Sequence, residues 1–502
     1  MPIRLRFAPS PTGALHIGGV RTALYNYLLA KKNNGTYILR IEDTDQERFV
    51  PGAEEYIIES LKWCGIEPTE GIRYGGPHPP YRQSERKDLY HQYVQDLVDQ
   101  GKAYYAFDTP EELEAMRTRL SGEGVPAPKY DASVRMSMRN SLTLNDTEVS
   151  ELFDNNTPCV VRLRVDPDQT VGFEDSIRGL VSFNTSELDD KVLLKSDGMP
   201  TYHMANVIDD HLMEITHVIR GEEWLSSTGH HLLLYEAFGW DHPQFAHLPL
   251  IMRPDGKGKL SKRDGAKFGI PVFPLDWKGA NDEDSFLGFK GFGFEPEAVI
   301  NFLAFLGWNP GTEQEIFSLN ELVDAFDIQK VHKAGARFDF EKALWYNQQY
   351  IRRMPLEVLM SKIRSIYSEH GIQVQDDQLK SIATIYQERL RLIKDIFQDT
   401  KFVFEDSSSM DSDALKKLWK PALKEKLLHV IVALKSQALQ DAVELETITK
   451  SILQENELKP GEVFPLFRLG LCGSLQGPTV FQMLQIMGKP GLEKIEKFIL
   501  NQ

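Results

Sequence analysis

The first forty residues constrain the fold more than any other stretch. Ile3 to Ala8 is an apolar run with arginines at alternate positions, a period of two that predicts a strand. The Pro/Gly-rich turn PSPTGALHIGG follows. From near Gly18 the helical period takes over, with Ala23, Leu24, Tyr27, Leu28 and Ala30 on recurring positions. Gly35 then closes the element before a second strand, Tyr37 to Ile41. Strand, helix and strand in that order predict a βαβ unit, hence a parallel sheet and an α/β opening domain.

At 502 residues the chain exceeds what one hydrophobic core serves, so several units are expected. Hydrophobic residues at 41% and charged residues at 26% exclude a disordered or fibrous chain. The longest apolar runs, such as the one ending at Leu434, fall short of the roughly 20 residues of a membrane span, so no membrane partner is expected. Prolines interrupt MPIRLRFAPSPTG where a signal peptide carries an unbroken apolar stretch, which points to the cytoplasm. Cys64, Cys159 and Cys472 lie far apart and suit packing better than a disulfide framework or a metal pair. The balance of 57 basic against 73 acidic side chains, net −16, opposes non-specific adsorption to nucleic acid. Any RNA contact must therefore use local basic patches.

Between about Gly101 and Asp190 the pattern turns polar, with short strands expected at Val160 to Val165 and Gly179 to Phe183; this predicts an insertion. Doubly wound signals return in Val192 to Leu194, the helical MPTYHMANVIDD, the strand-like EITHVIRG and the helical STGHHLLLYEAFG. Phe273 to Gly293, rich in Gly and acids, resembles a surface loop or small insertion more than a core element. After about residue 310 helical periods dominate: Leu423, Leu427, Ile431 and Leu434 line one face downstream of Pro421. No internal repeat is present.

Two loops carry chemistry. PSPTGALHIGG, Pro9 to Gly19, should turn free backbone N–H groups of a helix N-terminus toward an anion such as phosphate. His16 adds a donor, and Gly18 and Gly19 let a flat base approach the backbone. Alone, HIG means little, because a turn histidine before a glycine-softened helix gives the same letters. The second loop, Lys259-Leu260-Ser261-Lys262-Arg263 behind RPDGKG, sets two lysines where they can neutralise a triphosphate. Alone, it equally describes a solvated basic loop.

In this order, 243 residues apart by number (259 against 16), the loops resemble the paired HIGH and KMSKS signatures of class I aminoacyl-tRNA synthetases. FAPSPTG before HIGG, RIEDTD at Arg40 to Asp45, and PEAVINFLAFLGW at Pro296 to Trp308 narrow the resemblance to bacterial-type glutamyl-tRNA synthetases. Glutaminyl and archaeal-eukaryotic glutamyl enzymes show PPEPNG-like runs and end in β-barrels, whereas this tail is helical. The continuation through LFRLGLCGSLQGPTVFQMLQIMGK sets the chain apart from the short paralogue that modifies a tRNA base.

The resemblance implies an α/β Rossmann-like catalytic domain with an α+β insertion, followed by all-α stem-contact and anticodon-binding domains. Its expected partition is 1–105 and 191–255 for the two catalytic halves, 106–190 for an inserted acceptor-binding domain, 256–370 for the KLSKR loop and stem contact, and 371–502 for the helical anticodon domain. It implies ATP-dependent joining of L-glutamate to tRNA(Glu) through a glutamyl adenylate, with tRNA required before activation and the 2′-hydroxyl as acceptor. Magnesium is expected with ATP, and a monomer is the family expectation. The family motifs assign His16, Lys259 and Lys262 to catalysis, and His16, Gly18, Gly19, Glu223, Lys259, Ser261 and Lys262 to ATP. Glutamate, with two carboxylates and an ammonium, needs arginine forks and an acid. Arg6, Ser10, Glu42, Tyr202, Asn206 and Arg220 match, with Glu42 facing the ammonium and Arg220, helped by Arg6 and Tyr202, a carboxylate. A glutaminyl enzyme, a catalytically silent tRNA-binding homologue and a nucleotidyltransferase stay as alternatives.

His203, His211, His217, His230 and His231 offer one adjacent pair, whose rings point about 100° apart on a helix, and no cysteine joins them; no metal site is expected there. Family members that bind zinc use cysteines in the insertion, where this chain has Ala106-Phe107-Asp108 and Tyr130-Asp131; no zinc is expected. For tRNA, Lys330, Lys333, Arg337, Lys342, Arg352 and Arg353, punctuated by Phe338, Trp345 and Tyr350, form a basic stretch suited to phosphates and stacked bases. Arg389, Arg391, Lys394 and Arg468 are further candidates.

Overall fold

In the computed structural model, residues 2–279, 285–405, 410–437 and 441–502 are described. The opening segment forms β1 (Arg4–Phe7), α1 (Ile17–Lys32) and β2 (Thr36–Leu39), and β1 and β2 are parallel in register from Arg4 against Thr36 to Phe7 against Leu39. Gly35 permits the crossover: a Cβ there would lie 2.2 Å from the Ile3 carbonyl oxygen. The chain divides into two compact units, Met1–Phe292 with Pro296–Lys342, and Gly293–Glu295 with Ala343–Gln502.

The first unit is built on a seven-stranded sheet. After β3 (Glu70–Gly71) come β4 (Ala103–Ala106), β5 (Val160–Leu163), β6 (Thr170–Asp175), β7 (Gly179–Asn184), β8 (Val192–Leu194), β9 (His217–Gly221) and β10 (Gln244–Leu248). The large sheet runs β3-β2-β1-β9-β10-β6-β7, all parallel except the β6-β7 hairpin, while β4, β5 and β8 form a separate antiparallel sheet. Strand partners thus cut across the expected partition. The β6-β7 hairpin, read as part of the 106–190 insertion, joins the edge of the parallel sheet, with Phe245 opposite Asp175. Conversely, β4 and β8, expected in the catalytic halves, belong to the small sheet. Alternation and length look the same for either destination, because pairing is decided by long-range register.

Ile38, Leu193, Met204, Val218 and Phe245 anchor the core between the sheet and the helices Tyr202–Leu212 and Thr228–Phe238. The segment PEAVINFLAFLGW forms the helix Pro296–Ala304 and its exit, and buttresses α1: the Tyr25 hydroxyl donates to Ala304 O at 2.9 Å and Arg21 Nη1 to Leu306 O at 2.8 Å. The region from Phe273 to Gly293, expected as a surface loop, instead contributes core. Phe273 and Phe289 are buried, Phe273 stacks on Phe286 at 3.6 Å, and Trp277 meets Tyr56 edge-on. Its glycines and acids drew attention from five aromatics, Phe273, Trp277, Phe286, Phe289 and Phe292, which fall in two short groups too brief to establish a period. Phe338, expected as a stacking platform for bases, is likewise fully buried, against Phe302.

Every described residue of the second unit is helical or in a connecting turn. Leu356–Glu369 pairs with Asp376–Tyr386 through Leu359, Ile363, Leu379 and Ile382, so the expected boundary at 370 falls inside a helical hairpin. Leu423, Leu427, Ile431 and Leu434 form the expected buried face; they pack on Leu466, Phe467, Leu484 and Ile495 of the last helices. Pro421 opens a single 3-10 turn before the helix Lys424–Lys435, where its missing N–H costs nothing. No helix among the described residues is long and apolar enough to cross a membrane.

Candidate active site

The order of the large sheet reverses between β1 and β9, and a cleft opens there at the carboxyl ends of both strands. This is where open parallel sheets bind ligands, because neighbouring loops diverge to opposite faces. Arg6, Ser10, His16, Gly18, Gly19, Glu42, Tyr202, Asn206, Arg220, Glu223 and Lys259 all line it.

His16 is the N-cap of α1, and its Nδ1 accepts from Gly18 N–H at 3.1 Å. The proton of the neutral ring must then sit on Nε2, a buried donor with no hydrogen-bond partner among the described residues. Burial, and then the Lys262 and Lys259 ammoniums, lower the His16 pKa to about 3. The ring is therefore a neutral donor at ordinary pH. The expectation of free helix N–H groups is corrected: Ile17 N–H donates to Val272 O, Gly18 N–H to His16 Nδ1 and Gly19 N–H to His16 O. The anion-directed donor at this helix end is a side chain. The two glycines also separate in role. A Cβ on Gly19 would lie 2.5 Å from Leu15 Cδ1, a packing demand, whereas one on Gly18 would meet only His16 Nδ1, at 3.4 Å.

The KLSKR loop folds over this turn. Lys262 Nζ is 3.1 Å from where a Cβ on Gly13 would be, at φ +135°, a backbone that glycine adopts without strain. Burial lowers the Lys262 pKa from its ordinary value. Lys259 Nζ pairs with Glu223 at 2.9 Å, both half exposed. Ser261 and Lys262, both expected at ATP, are not among the residues lining the cleft; the Ser261 hydroxyl donates to Asp264 Oδ2 at 2.6 Å and its N–H to the same oxygen, which fixes the loop.

Deeper in the cleft, arginines and acids interlock. Arg6 donates to both oxygens of Asp210, and the fully buried Arg40 donates to Asp210 Oδ1 at 2.8 Å and Glu42 Oε1 at 2.9 Å. Asn206 Nδ2 donates to the same Glu42 oxygen at 2.9 Å. Burial raises the Glu42 pKa, opposed by Arg40 and Arg6. Arg220 differs. It is buried, yet its Nε donates to His247 Nε2, Nη1 to the Tyr202 hydroxyl and His231 Nδ1, and Nη2 to Thr228 Oγ1, all uncharged groups. Arg6 and Arg40 are neutralised by direct ion pairs; among the described residues Arg220 has none, and unlike Arg21, which lines the same cleft but is spent on the Leu306 and Pro249 carbonyls, it stands beside Tyr202 with charge to offer a ligand.

His247, His231 and Thr228 were not singled out as site residues. They stand on β10 and the helix Thr228–Phe238, and no spacing in the sequence links them to Arg220. The histidine readings divide: His231 and His203 form a chain, with rings 3.2 Å apart at Nε2 and Nδ1, leading from Arg220, whereas His211 stacks on Trp240 at 3.7 Å. Among the described residues no group of three or more His, Cys, Asp or Glu is placed to hold a metal ion.

The basic candidates are dispersed. Lys330 donates to Pro310 O, Lys333 to Arg178 O, Arg352 to Glu388 O and Arg468 to Gly477 O, while Lys342 pairs with Glu315 and Arg337 is exposed on a short strand.

A doubly wound sheet with its cleft at the β1/β9 reversal, a histidine-capped helix and a lysine loop above it defines a nucleotide-using enzyme of the synthetase class. A family model described as "tRNA synthetases class I (E and Q), catalytic domain" matches residues 2–345, and one described as "Anticodon binding domain" matches 353–494. A glutamate–tRNA ligase of Phocaeicola vulgatus is 51% identical over 493 residues, 97% of this chain and 96% of that protein. One of Amoebophilus asiaticus is 49% identical over 490 residues, again 97% and 96%. The crystal structure of a glutamate tRNA ligase from Elizabethkingia meningosepticum in complex with its amino acid superposes with a TM-score of 0.96 at 47% identity, covering 100% of this chain and 99% of that one. The chain belongs to the class I tRNA synthetases of the E and Q group and, within it, to the glutamate–tRNA ligase family. These matches lend no support to the glutaminyl or silent-homologue alternatives.

Proposed function

We propose that this protein joins L-glutamate to tRNA(Glu) using ATP, in two steps through a glutamyl adenylate. The observation that carries the reading is Arg220, a buried guanidinium without a direct counter-charge among the described residues, lining the same cleft as Glu42. A carboxylate is the ligand group such a guanidinium holds best. We assign it the glutamate side-chain carboxylate, with the Tyr202 hydroxyl beside it. Glu42, whose Oε1 takes both Arg40 and Asn206, offers its other oxygen to the α-ammonium, with Ser10 at the mouth. Arg6, being paired with Asp210, serves by holding the acidic network and adding positive potential rather than by a free fork.

In the first step an α-carboxylate oxygen attacks the α-phosphorus and pyrophosphate leaves; in the second, a terminal ribose hydroxyl of tRNA attacks the adenylate carbonyl and AMP leaves. No covalent enzyme intermediate is needed. The chain contributes orientation and charge: Nε2 of His16 donates to a phosphate oxygen, Lys262 and Lys259 neutralise the departing pyrophosphate, and Gly18, Gly19 and Glu223 border the nucleotide. Lys259 must exchange Glu223 for phosphate, which their shared exposure makes inexpensive. Ser261 acts through Asp264 on the loop's shape. Magnesium would enter with the ATP phosphates, since the described residues form no ion-binding cluster of their own.

No zinc is included in the reading. At the position of the family's zinc cysteines, the Tyr130 hydroxyl donates to Asp108 Oδ2, Asn140 Nδ2 donates to the Tyr130 oxygen, and Arg162 lies 4.0 Å over the Tyr130 ring. That polar cluster supplies a cross-link which does not require metal. Lys330, Lys333, Arg337 and Arg468 are proposed tRNA phosphate contacts, and a cytoplasmic monomer completes the reading. Glutamate-dependent pyrophosphate exchange, with and without tRNA, is the test, with His16→Ala and Lys262→Ala as controls. Exchange with glutamine but not glutamate overturns it.

A further inference from the structure

Among the described residues Arg220, in the sheet, has only uncharged groups in direct contact, yet an isolated buried charge costs several kcal/mol. Its compensation lies one ring away. Nε donates to His247 Nε2 at 3.0 Å, so that nitrogen must carry a lone pair and the ring proton must sit on Nδ1. From there His247 donates to Asp175 Oδ2 at 2.7 Å, and both side chains are buried. Asp175 is held in turn on every side: Oδ1 accepts from the N–H groups of Ile177 and Arg178, and Oδ2 accepts from His247 N–H at 3.1 Å as well. Burial would raise the Asp175 pKa; the hydrogen bonds from His247, Arg178 and Ile177 outweigh it and hold the carboxyl below its ordinary value. The acid is therefore held as an anion at the end of β6, where the hairpin turns.

We infer that Asp175 and His247 are specificity-positioning residues: they provide Arg220 with its counter-charge through one imidazole, which leaves the cleft-facing guanidinium free to prefer a carboxylate over a carboxamide. The geometry explains why a direct ion pair would not serve. A carboxylate touching Arg220, as Asp210 touches Arg6, would occupy its fork and cancel the charge that separates glutamate from glutamine. Removing the acid altogether would leave the guanidinium buried without compensation. The imidazole meets both demands: Nε, Nη1 and one Nη2 hydrogen are occupied by His247, Tyr202, His231 and Thr228, which fixes the plane, and one Nη2 hydrogen remains. The relay also ties substrate recognition to the β6-β7 hairpin, because Asp175 is the last residue of β6 and the only β6 residue in register with β10.

This inference rests on the assignment of Arg220 to the substrate carboxylate, and the experiment separates the two. His247→Gln and His247→Asn are buried amides of similar character. Gln carries an acceptor out to about the position of Nε2, whereas Asn reaches only as far as Nδ1 and keeps Asp175 while abandoning Arg220. With full-length enzyme and tRNA(Glu), KM for glutamate in His247→Asn should exceed that in His247→Gln at least about fivefold, with KM for ATP alike in both. Inhibition by glutamine relative to glutamate should strengthen in the same variant. Equal glutamate KM values in the two variants, or an equal rise in KM for ATP, overturn the relay. Arg220→Lys is measured beside them: if it leaves KM for glutamate unchanged, the assignment of Arg220 itself fails, whatever the His247 variants do.

Discussion

Replacing His16 by serine isolates the phosphate donor from the helix cap. Histidine does two jobs here: Nδ1 caps α1 through Gly18 N–H, and Nε2 is the buried donor without a partner among the described residues. Serine is a good N-cap, so His16→Ser keeps the first function, whereas His16→Ala loses both and should cost a further ~1 kcal/mol of stability. Loss of one preorganised donor to a developing oxyanion typically lowers kcat by about 10²–10³, or about 2.7–4 kcal/mol of transition-state stabilisation. The expected result for His16→Ser is a fall in tRNA-dependent pyrophosphate exchange of that size, with KM for glutamate little changed and the thermal midpoint close to that of the parent. A pH series tests the protonation state. The folded pKa of about 3 lies below the ordinary 6.5, so folding favours the neutral ring. Its contribution to stability is intact above about 6.5 and is lost progressively as pH falls toward 3. His16→Ser should therefore lose stability less steeply than the parent across that window, and kcat should show no limb near pH 6 that disappears with His16. Activity within tenfold of the parent, or an acid limb near pH 6 abolished by the substitution, refutes the reasoning.

Phe289→Ala should destabilise the first unit by about 3–5 kcal/mol in chemical denaturation, because the ring is fully buried; a change within about 0.5 kcal/mol would restore the surface-loop expectation for its segment. Gly35→Ala should lower the midpoint of thermal inactivation, since its Cβ meets the Ile3 backbone oxygen rather than a movable side chain; a cost below the usual 1–3 kcal/mol for overpacking counts against that contact. Prolonged chelation followed by magnesium should return full activity, and elemental analysis of the purified protein should find no bound zinc; one zinc per chain would refute the polar cross-link at Tyr130.

Local periodicity carried the opening βαβ unit, the helices Tyr202–Leu212 and Thr228–Phe238 and the C-terminal helical face, because each of these buries one side of a regular element and must repeat at its period. It failed at Phe273 to Gly293, where Phe273 and Phe289 are buried from stretches too short to show a period, and at Phe338, whose basic neighbours suggested a surface. It also failed to assign β6 and β7 to a sheet, since alternation reports a half-buried strand without naming its neighbour.

From the sequence alone came the two phosphate-directed loops, their order, and the set of side chains a dicarboxylic amino acid requires, because these lie in short contiguous motifs whose chemistry is local. The tertiary structure alone decided which of those groups are available. Among the described residues, folding pairs Arg6 and Arg40 with acids from distant segments and leaves Arg220 without a direct one; it engages the helix N–H groups and leaves His16 Nε2 unpartnered. The physical reason is that charge compensation and hydrogen-bond saturation are properties of neighbours in space. Arg220 and Asp175 stand 45 positions apart in number (220 against 175), and only the pairing of β10 with both β9 and β6 brings them to opposite edges of one imidazole.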